Sequence, residues 1–394
     1  MIKICSVLDK AEMEADYVQI IEGLVRRGHL VYTLLHRSTN SWKPNLSNLK
    51  ILITKEPLLL DRISIVNFLL LKAVNVIRNY KVDVVYATGN RLGEGLLAGL
   101  LTHKPVLCDV RNPWSIQWRD IAERVVLKTI LGKHARKIRF FSEELIINKA
   151  QRIVAYSNGI RDWLVSHLRV AKDKIEVIPP HVDTNIFHPN LDGEIIRHKY
   201  EIGRGPLIMY VGAINLSRGI DILIEAFSKV KNEFKDAKLM IVGPMHRSIS
   251  PFLKDLEHKI NILKLNECVV FTDYAPFREI PNYIAAADVL TVPHRRTFTY
   301  EISPPVKILE YMACRKPIVT TDVGIRDIVL NDENGIIVVP GDINELAEAI
   351  IRLLVDSSKA KRLANNARMF VEENFQEEMM IEKFENILVS LVNN

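Results

Sequence analysis

Twice along this chain, short runs of apolar and β-branched residues alternate with stretches of helical period, and few folds besides layered parallel α/β sheets accept that alternation. In the first half, strands are expected at Ile2–Leu8, Leu30–Leu35, Val82–Ala87, Pro105–Asp109 and Gln151–Ser157. A first helix is expected at Ala15–Arg27, with Gly28 as its stop. The segment Lys174–Asp183 leaves this half as a strand and then turns, and a polar, strand-poor connector follows over 183–205. The alternation restarts at Leu207–Gly212. It continues with strands expected at Lys238–Val242, Cys268–Thr272, Val289–Val292, Pro317–Thr320 and Ile336–Val339, then closing helices at Ile343–Leu354, Ser358–Asn374 and Glu377–Val392. The expected architecture is α/β, with two Rossmann-like doubly wound domains facing a cleft. The first covers residues 1–183, with the last helix, about 376–394, packing back on it; the second covers 184–375.

Length and composition narrow the class. A chain of 394 residues exceeds one ordinary core, and 48% apolar with 25% charged residues belongs to a globular protein. Cys5, Cys108, Cys268 and Cys314 lie too far apart for a metal knuckle or a redox pair, which suits a reduced, cytoplasmic chain. The N-terminus, Met1–Leu8, runs too directly into charge for a signal peptide. The longest apolar stretch, Leu58 to Ile77, is broken by Asp61, Arg62 and Lys72, so no bilayer span is expected. A net charge of +6 favours anionic partners. No aromatic platform or reading motif points to nucleic acid.

Three stretches at the carboxyl ends of expected strands carry chemistry. Ser303–Ala313 reads as a helix capped by Ser303, with Pro304 in its first turn and the amides of Val306 and Lys307 at an anion-receptive end. Glu310 follows on the face of Lys307, placed for ribose hydroxyls beside a phosphate; the alternative is a surface Lys307–Glu310 pair. After Leu207–Val211, Gly212 permits a tight strand exit and Arg218 stands beside the next helix start, either as a bidentate diphosphate ligand or as a surface arginine. Asp273 and Tyr274 end another strand in a loop whose backbone can read a flat base. His294, Arg295 and Arg296 follow the next one, as a basic trio for phosphate or acidic sugar or as a solvated loop. In the first half, Asp109 is the carboxylate best placed to contact a polyol or act as a base, and a structural turn cap is the alternative. No phosphate-loop lysine motif, three-glycine dinucleotide fingerprint or metal-ligand cluster is present.

The order of these segments resembles a retaining glycosyltransferase of family four (glycosyl transferases group 1), with the two-Rossmann GT-B fold. Five stretches carry the likeness: Arg26–His29, Ile178–Pro189, Tyr210–Gly212 through Arg218–Gly219, Phe271–Asp288 with Pro293, and Lys307–Pro317. The resemblance implies a metal-independent hexosyltransferase that uses no cofactor. It would move a sugar from a nucleotide-sugar, such as a UDP- or GDP-sugar, to a lipid-linked or glycan acceptor, with the acceptor on the first domain and the donor on the second. It implies Glu310 on the ribose, Arg218 on the diphosphate where the family usually has a lysine, and assistance from the Val306 and Lys307 amides.

Several positions depart from the family pattern. Ile302 stands where a first glutamate is usual, with Glu301 one residue away as its candidate replacement. Ala213 replaces a usual arginine, for which Arg295, Arg296 or Lys307 are candidate substitutes, and Asp109 stands where many members have a histidine. Competing readings are a degenerate, non-catalytic nucleotide-sugar-binding protein and a sugar-nucleotide epimerase. The epimerase would need converging acid/base groups that the sequence does not identify.

Residues 118–140 hold Arg119, Arg124, Lys128, Lys133, Arg136, Lys137 and Arg139 against Asp120 and Glu123, interleaved with apolar positions. They read as a basic amphipathic helix for the inner face of an anionic membrane, or as a solvated helix face. Under the first reading, reversing the charges at Lys133, Arg136 and Lys137 lowers co-sedimentation with anionic vesicles. Unchanged co-sedimentation, or a wild type that never sediments, removes the membrane role.

Overall fold

The structure, a computed structural model, describes residues 1–8, 15–35, 46–53, 62–111, 144–244, 251–325 and 327–393. The chain divides into two compact units, Met1–Pro179 with Glu378–Asn394 and Pro180–Glu377. Each is built on one parallel sheet.

The first unit carries β1 (Lys3–Leu8), β2 (Leu30–Leu35), β3 (Leu49–Ile53), β4 (Val84–Thr88), β5 (Val106–Val110), β6 (Arg152–Ala155) and β7 (Ile175–Val177). Their order is β3-β2-β1-β4-β5-β6-β7. The edge strand β3 was not anticipated. Helices include α1 (Ala15–Arg26), α2 (Arg62–Asn79), α3 (Leu92–Thr102) and α4 (Asn158–Leu168). The last helix of the chain, Glu377–Asn393, supplies Met380, Ile381, Phe384, Ile387 and Leu388 to the core formed by α1, β1 and β4. Its polar side is fastened by the segment that ends α1. Arg27 pairs with Glu378 and Glu385, and His29 bridges the Ile2 amide, accepted at Nδ1, and the Glu385 carboxylate, 2.8 Å from Nε2.

The second unit carries β8 (Leu207–Val211), β9 (Lys238–Val242), β10 (Val269–Asp273), β11 (Val289–Val292), β12 (Ile318–Thr321) and β13 (Ile336–Val338), in the order β10-β9-β8-β11-β12-β13. A short helix, Glu194–Lys199, interrupts the connector expected to be irregular. Both sheet faces are covered. Leu207, Met209 and Val211 enter one apolar cluster, while Ile208 and Tyr210 enter the other. Burial on both faces is why these strands read as continuous apolar runs instead of alternating ones. It also confines polar side chains to the strand ends. Strand order reverses beside β8, so the loops leaving β8 and β11 run to opposite faces and leave a crevice between them, the usual ligand position in such sheets.

Phe384 is 2% exposed and meets Tyr86 edge-on, with ring centroids 6.0 Å apart. Phe384→Ala should destabilise the first unit by about 3–5 kcal/mol, the usual cost of deleting a buried aromatic ring. Urea unfolding followed by near-ultraviolet circular dichroism measures it, and a loss under about 1 kcal/mol would show that the helix is only loosely docked.

Candidate donor-binding site

The reversal point of the second unit gathers a compact polar cluster. Gly212 leaves β8 at φ 139°, a backbone that disfavours side chains, and donates its N–H to Val242 O at 2.7 Å; a Cβ there would meet the Lys307 ammonium, which would have to shift. Gly219, at φ 68°, closes the same loop against the end of β11, where a Cβ would strike the Pro293 carbonyl. The helix carrying Lys307, Lys307–Ala313, is pinned to β8 by the Tyr311 hydroxyl. That hydroxyl accepts the Val211 N–H at 2.9 Å and donates to Val211 O at 3.4 Å.

Arg218 ends a 3-10 turn, Leu216–Arg218, and lies over the Tyr300 ring, 4.7 Å from its centroid. Its Nη1 donates to His294 Nε2 at 3.0 Å. A guanidinium can only donate, so His294 is the tautomer with its proton on Nδ1. The ring stacks on Tyr300, and the Thr321 hydroxyl holds the backbone by donating to His294 O at 2.9 Å. Burial, then the charges of Lys307 and Arg218, hold the imidazole well below its usual pKa, so it is neutral. His294 Nδ1 and Arg218 Nε are both buried donors without a partner. Lys307 donates to the Tyr210 hydroxyl at 3.0 Å, and its ammonium lies 4.2 Å from that ring's centroid. Neither Arg218 nor Lys307 forms an ion pair among the described residues. The cluster therefore holds two basic side chains without an ion-pair partner, a combination that suits an anionic ligand.

The other expected residues sit differently. Glu310, half-buried, is close enough to Lys307 to raise its proton affinity. The reading of Ser303 as helix cap is corrected. Ser303 and Pro304 each precede a proline and are pushed away from helical backbone. The helix therefore starts only at Lys307, with Val306 in the cap position and the Ile308 N–H on Pro305 O at 3.2 Å. Arg295 and Arg296 are not open phosphate ligands. Arg295 pairs with Asp221, and Arg296 with Glu301 at 3.1 Å and Asp322 at 2.6 Å. The same pair occupies Glu301, the candidate replacement for the missing glutamate. His294 is a buried, neutral side chain and not the first of a solvated basic trio.

Asp273 ends β10 at φ 62°. Its carboxylate takes the Tyr274 N–H at 2.9 Å and its carbonyl the Gly243 N–H at 3.0 Å, so part of this loop's backbone is already engaged. The Tyr274 side chain is 65% exposed. In the first unit, Asp109 is no solvent-facing base. Its buried carboxylate accepts the Tyr86 hydroxyl at 2.6 Å and faces Arg111 at 3.4 Å, whose guanidinium covers the Tyr17 ring. The basic stretch 118–140 lies outside the described residues.

Tyr210, Ser217 and Tyr300 were not foreseen. Tyr210 sits inside an apolar run and reads as core. Tyr300 carries no motif, and Ser217, 3.3 Å from the Tyr300 hydroxyl, joins it across 83 residues. Among the described residues no group of three His, Cys, Asp or Glu side chains could hold a metal, and no helix is long and apolar enough to cross a membrane.

Two doubly wound parallel sheets in one chain define the GT-B class of α/β proteins. Two family models match the chain, Glycosyltransferase Family 4 over residues 14–186 and Glycosyl transferases group 1 over residues 205–356, and the chain belongs to this glycosyltransferase family. It is 31% identical over 242 residues to the alpha-D-kanosaminyltransferase of Streptomyces kanamyceticus, a match covering 61% of this chain and 60% of that protein. It is 30% identical over 206 residues to the GDP-mannose-dependent alpha-(1-6)-phosphatidylinositol monomannoside mannosyltransferase of Mycolicibacterium smegmatis, covering 51% of this chain and 53% of the relative. The matches thus span little more than half of these relatives. Two solved structures share the fold. Anabaena HepE in complex with UDP and glucose has a TM-score of 0.79 and 18% identity, covering 99% of this chain and 100% of that one. A Rickettsia africae glycosyltransferase has a TM-score of 0.77 and 20% identity, covering 100% and 99%.

Because His294 is neutral when folded and charges freely when unfolded, its contribution to stability is complete above about pH 6.5 and is lost as the pH falls below that value. His294→Gln should therefore flatten the fall in urea midpoint between about pH 7 and pH 5. Equal slopes in the two proteins would mean that the imidazole is solvated in the native state.

Proposed function

We propose that this chain moves a sugar from a nucleoside-diphosphate sugar to a glycan or lipid-linked hydroxyl, with retention at the anomeric carbon. The observation that carries the reading is Arg218. Its guanidinium is oriented by a neutral imidazole on one side and an aromatic face on the other, has no carboxylate partner, and stands at the reversal point of a doubly wound sheet. A diphosphate is the ligand such a side chain suits, because a planar fork matches two phosphate oxygens.

Glu310 accepts the ribose hydroxyls in this reading, and the second unit holds the donor while the first holds the acceptor. The acceptor oxygen bonds to the anomeric carbon as that carbon's bond to the β-phosphate oxygen breaks, and the acceptor's proton passes to the departing diphosphate. Arg218 stabilises the charge that develops there. No protein nucleophile, resident cofactor or metal enters this scheme. The chain works at the inner membrane face or in the cytoplasm. One relative is named for GDP-mannose and one neighbouring structure holds UDP, so UDP- and GDP-sugars are the first donors to test. The salt bridge between Glu301 and Arg296 favours one competing reading, a non-catalytic nucleotide-sugar-binding protein, because it occupies the nearest candidate sugar-reading carboxylate.

The test is a thermal-shift comparison of UDP, GDP, ADP and CMP, free and as sugar conjugates, on wild type and Glu310→Ala. One nucleotide should stabilise wild type, by about 2.7 kcal/mol at a hundredfold excess over Kd. Glu310→Ala should bind it about 1–3 kcal/mol more weakly. No shift with any nucleotide overturns the reading, and binding without sugar transfer to any acceptor leaves the non-catalytic one.

A further inference from the structure

The basic side chains at the donor edge divide into two sets. Arg295 and Arg296 are neutralised by Asp221, Glu301 and Asp322, and His294 carries no charge. Arg218 and Lys307, both half-buried, have no ion-pair partner among the described residues, and each lies close enough to the other for their charges to interact. The surroundings of Lys307 make this arrangement costly. Its contact with Tyr210 uses a neutral oxygen whose own proton is donated to Ala213 O at 3.0 Å. The ammonium occupies the space that Gly212 leaves by lacking a side chain, at the positive end of its own helix. Burial acts first and Arg218 second to hold Lys307 well below the usual lysine range, against a smaller opposing pull from Glu310. A half-buried lysine held beside an arginine, offset only in part by Glu310, weakens a fold, and an apolar side chain of similar size would serve packing better.

We propose that Lys307 is the second diphosphate-binding cation of this site, supplied from the helix beside Gly212 and kept at the expense of stability in the unliganded protein. The proposal rests on the donor reading given above. The ligand that resolves the conflict carries two adjacent negative charges, as a nucleoside diphosphate does. One phosphate lies against Arg218 and the other against Lys307, which then recovers a fully charged ammonium. A nucleoside without phosphates gains nothing from either cation.

That contrast sets the experiment. Wild type, Lys307→Met and Lys307→Gln are compared by melting temperature without ligand, and by titration with UDP, GDP, uridine and guanosine. Both variants should melt above wild type. They should bind whichever diphosphate wild type binds at least tenfold more weakly, with unchanged affinity for the matching nucleoside. Variants that melt below wild type and bind the diphosphate as tightly overturn the proposal, because Lys307 is then a packing residue. Equal losses for nucleoside and diphosphate also overturn it, since the site as a whole is then disturbed. If wild type itself binds neither UDP nor GDP, the donor reading falls and this proposal with it; if wild type binds and the variants match it, this proposal falls alone.

Discussion

The candidate site depends on the reversal of strand order beside β8. Parallel strands covered on both faces leave no place for polar side chains along their length, so ionisable groups collect at the ends. At most strand ends a helix returns directly over the sheet. Between β8 and β11 the two connections depart to opposite faces, and the loops that open there bring Gly212, Arg218 and His294 together from positions up to 82 residues apart. Gly219 makes the approach close enough, because any side chain there would collide with Pro293.

Within that crevice the electrostatics are mutually consistent. Burial first, and then the two neighbouring basic side chains, keep His294 unprotonated, and only the unprotonated nitrogen can accept the Arg218 hydrogen bond. Burial and charge together thus provide the neutral acceptor that holds Arg218 in place. The stack on Tyr300 adds orientation without charge. Three carboxylates at the same edge, Asp221, Glu301 and Asp322, pair with Arg295 and Arg296, while Glu310 acts on Lys307. Arg218 and Lys307 are left as basic side chains without an ion-pair partner among the described residues.

The fold was legible wherever burial on both faces left continuous apolar runs. Strands β8, β9 and β11 stand where the sequence put them, whereas β3 escaped notice because an edge strand with only Leu49 fully buried lacks that signature. A serine before a proline resembles a helix cap, but the second proline keeps Pro304 out of helical backbone and the helix starts only at Lys307. The fates of Arg295, Arg296 and Glu301 depended on Asp221 and Asp322, whose positions only the folded chain reveals. Asp109 shows the same limit. A carboxylate at a strand end reads equally well as a base or as a buried anchor, and the Tyr86 and Arg111 contacts that decide between them are set by packing.

The position of the second cation also bears on how rigidly the site is held. A cation carried on the loop after Gly212 would have to be ordered when the ligand arrives, with the loss of side-chain freedom that this entails. Lys307 instead starts a helix fixed to β8 by two hydrogen bonds through Tyr311, and its own side chain lies along the Tyr210 ring before any ligand binds. Much of the ordering is thus completed during folding. The penalty appears as charge repulsion in the unliganded protein rather than as lost entropy on binding. With Ala213 in place of a cationic side chain, preorganisation on the helix is the physical route left to a second positive charge at this edge.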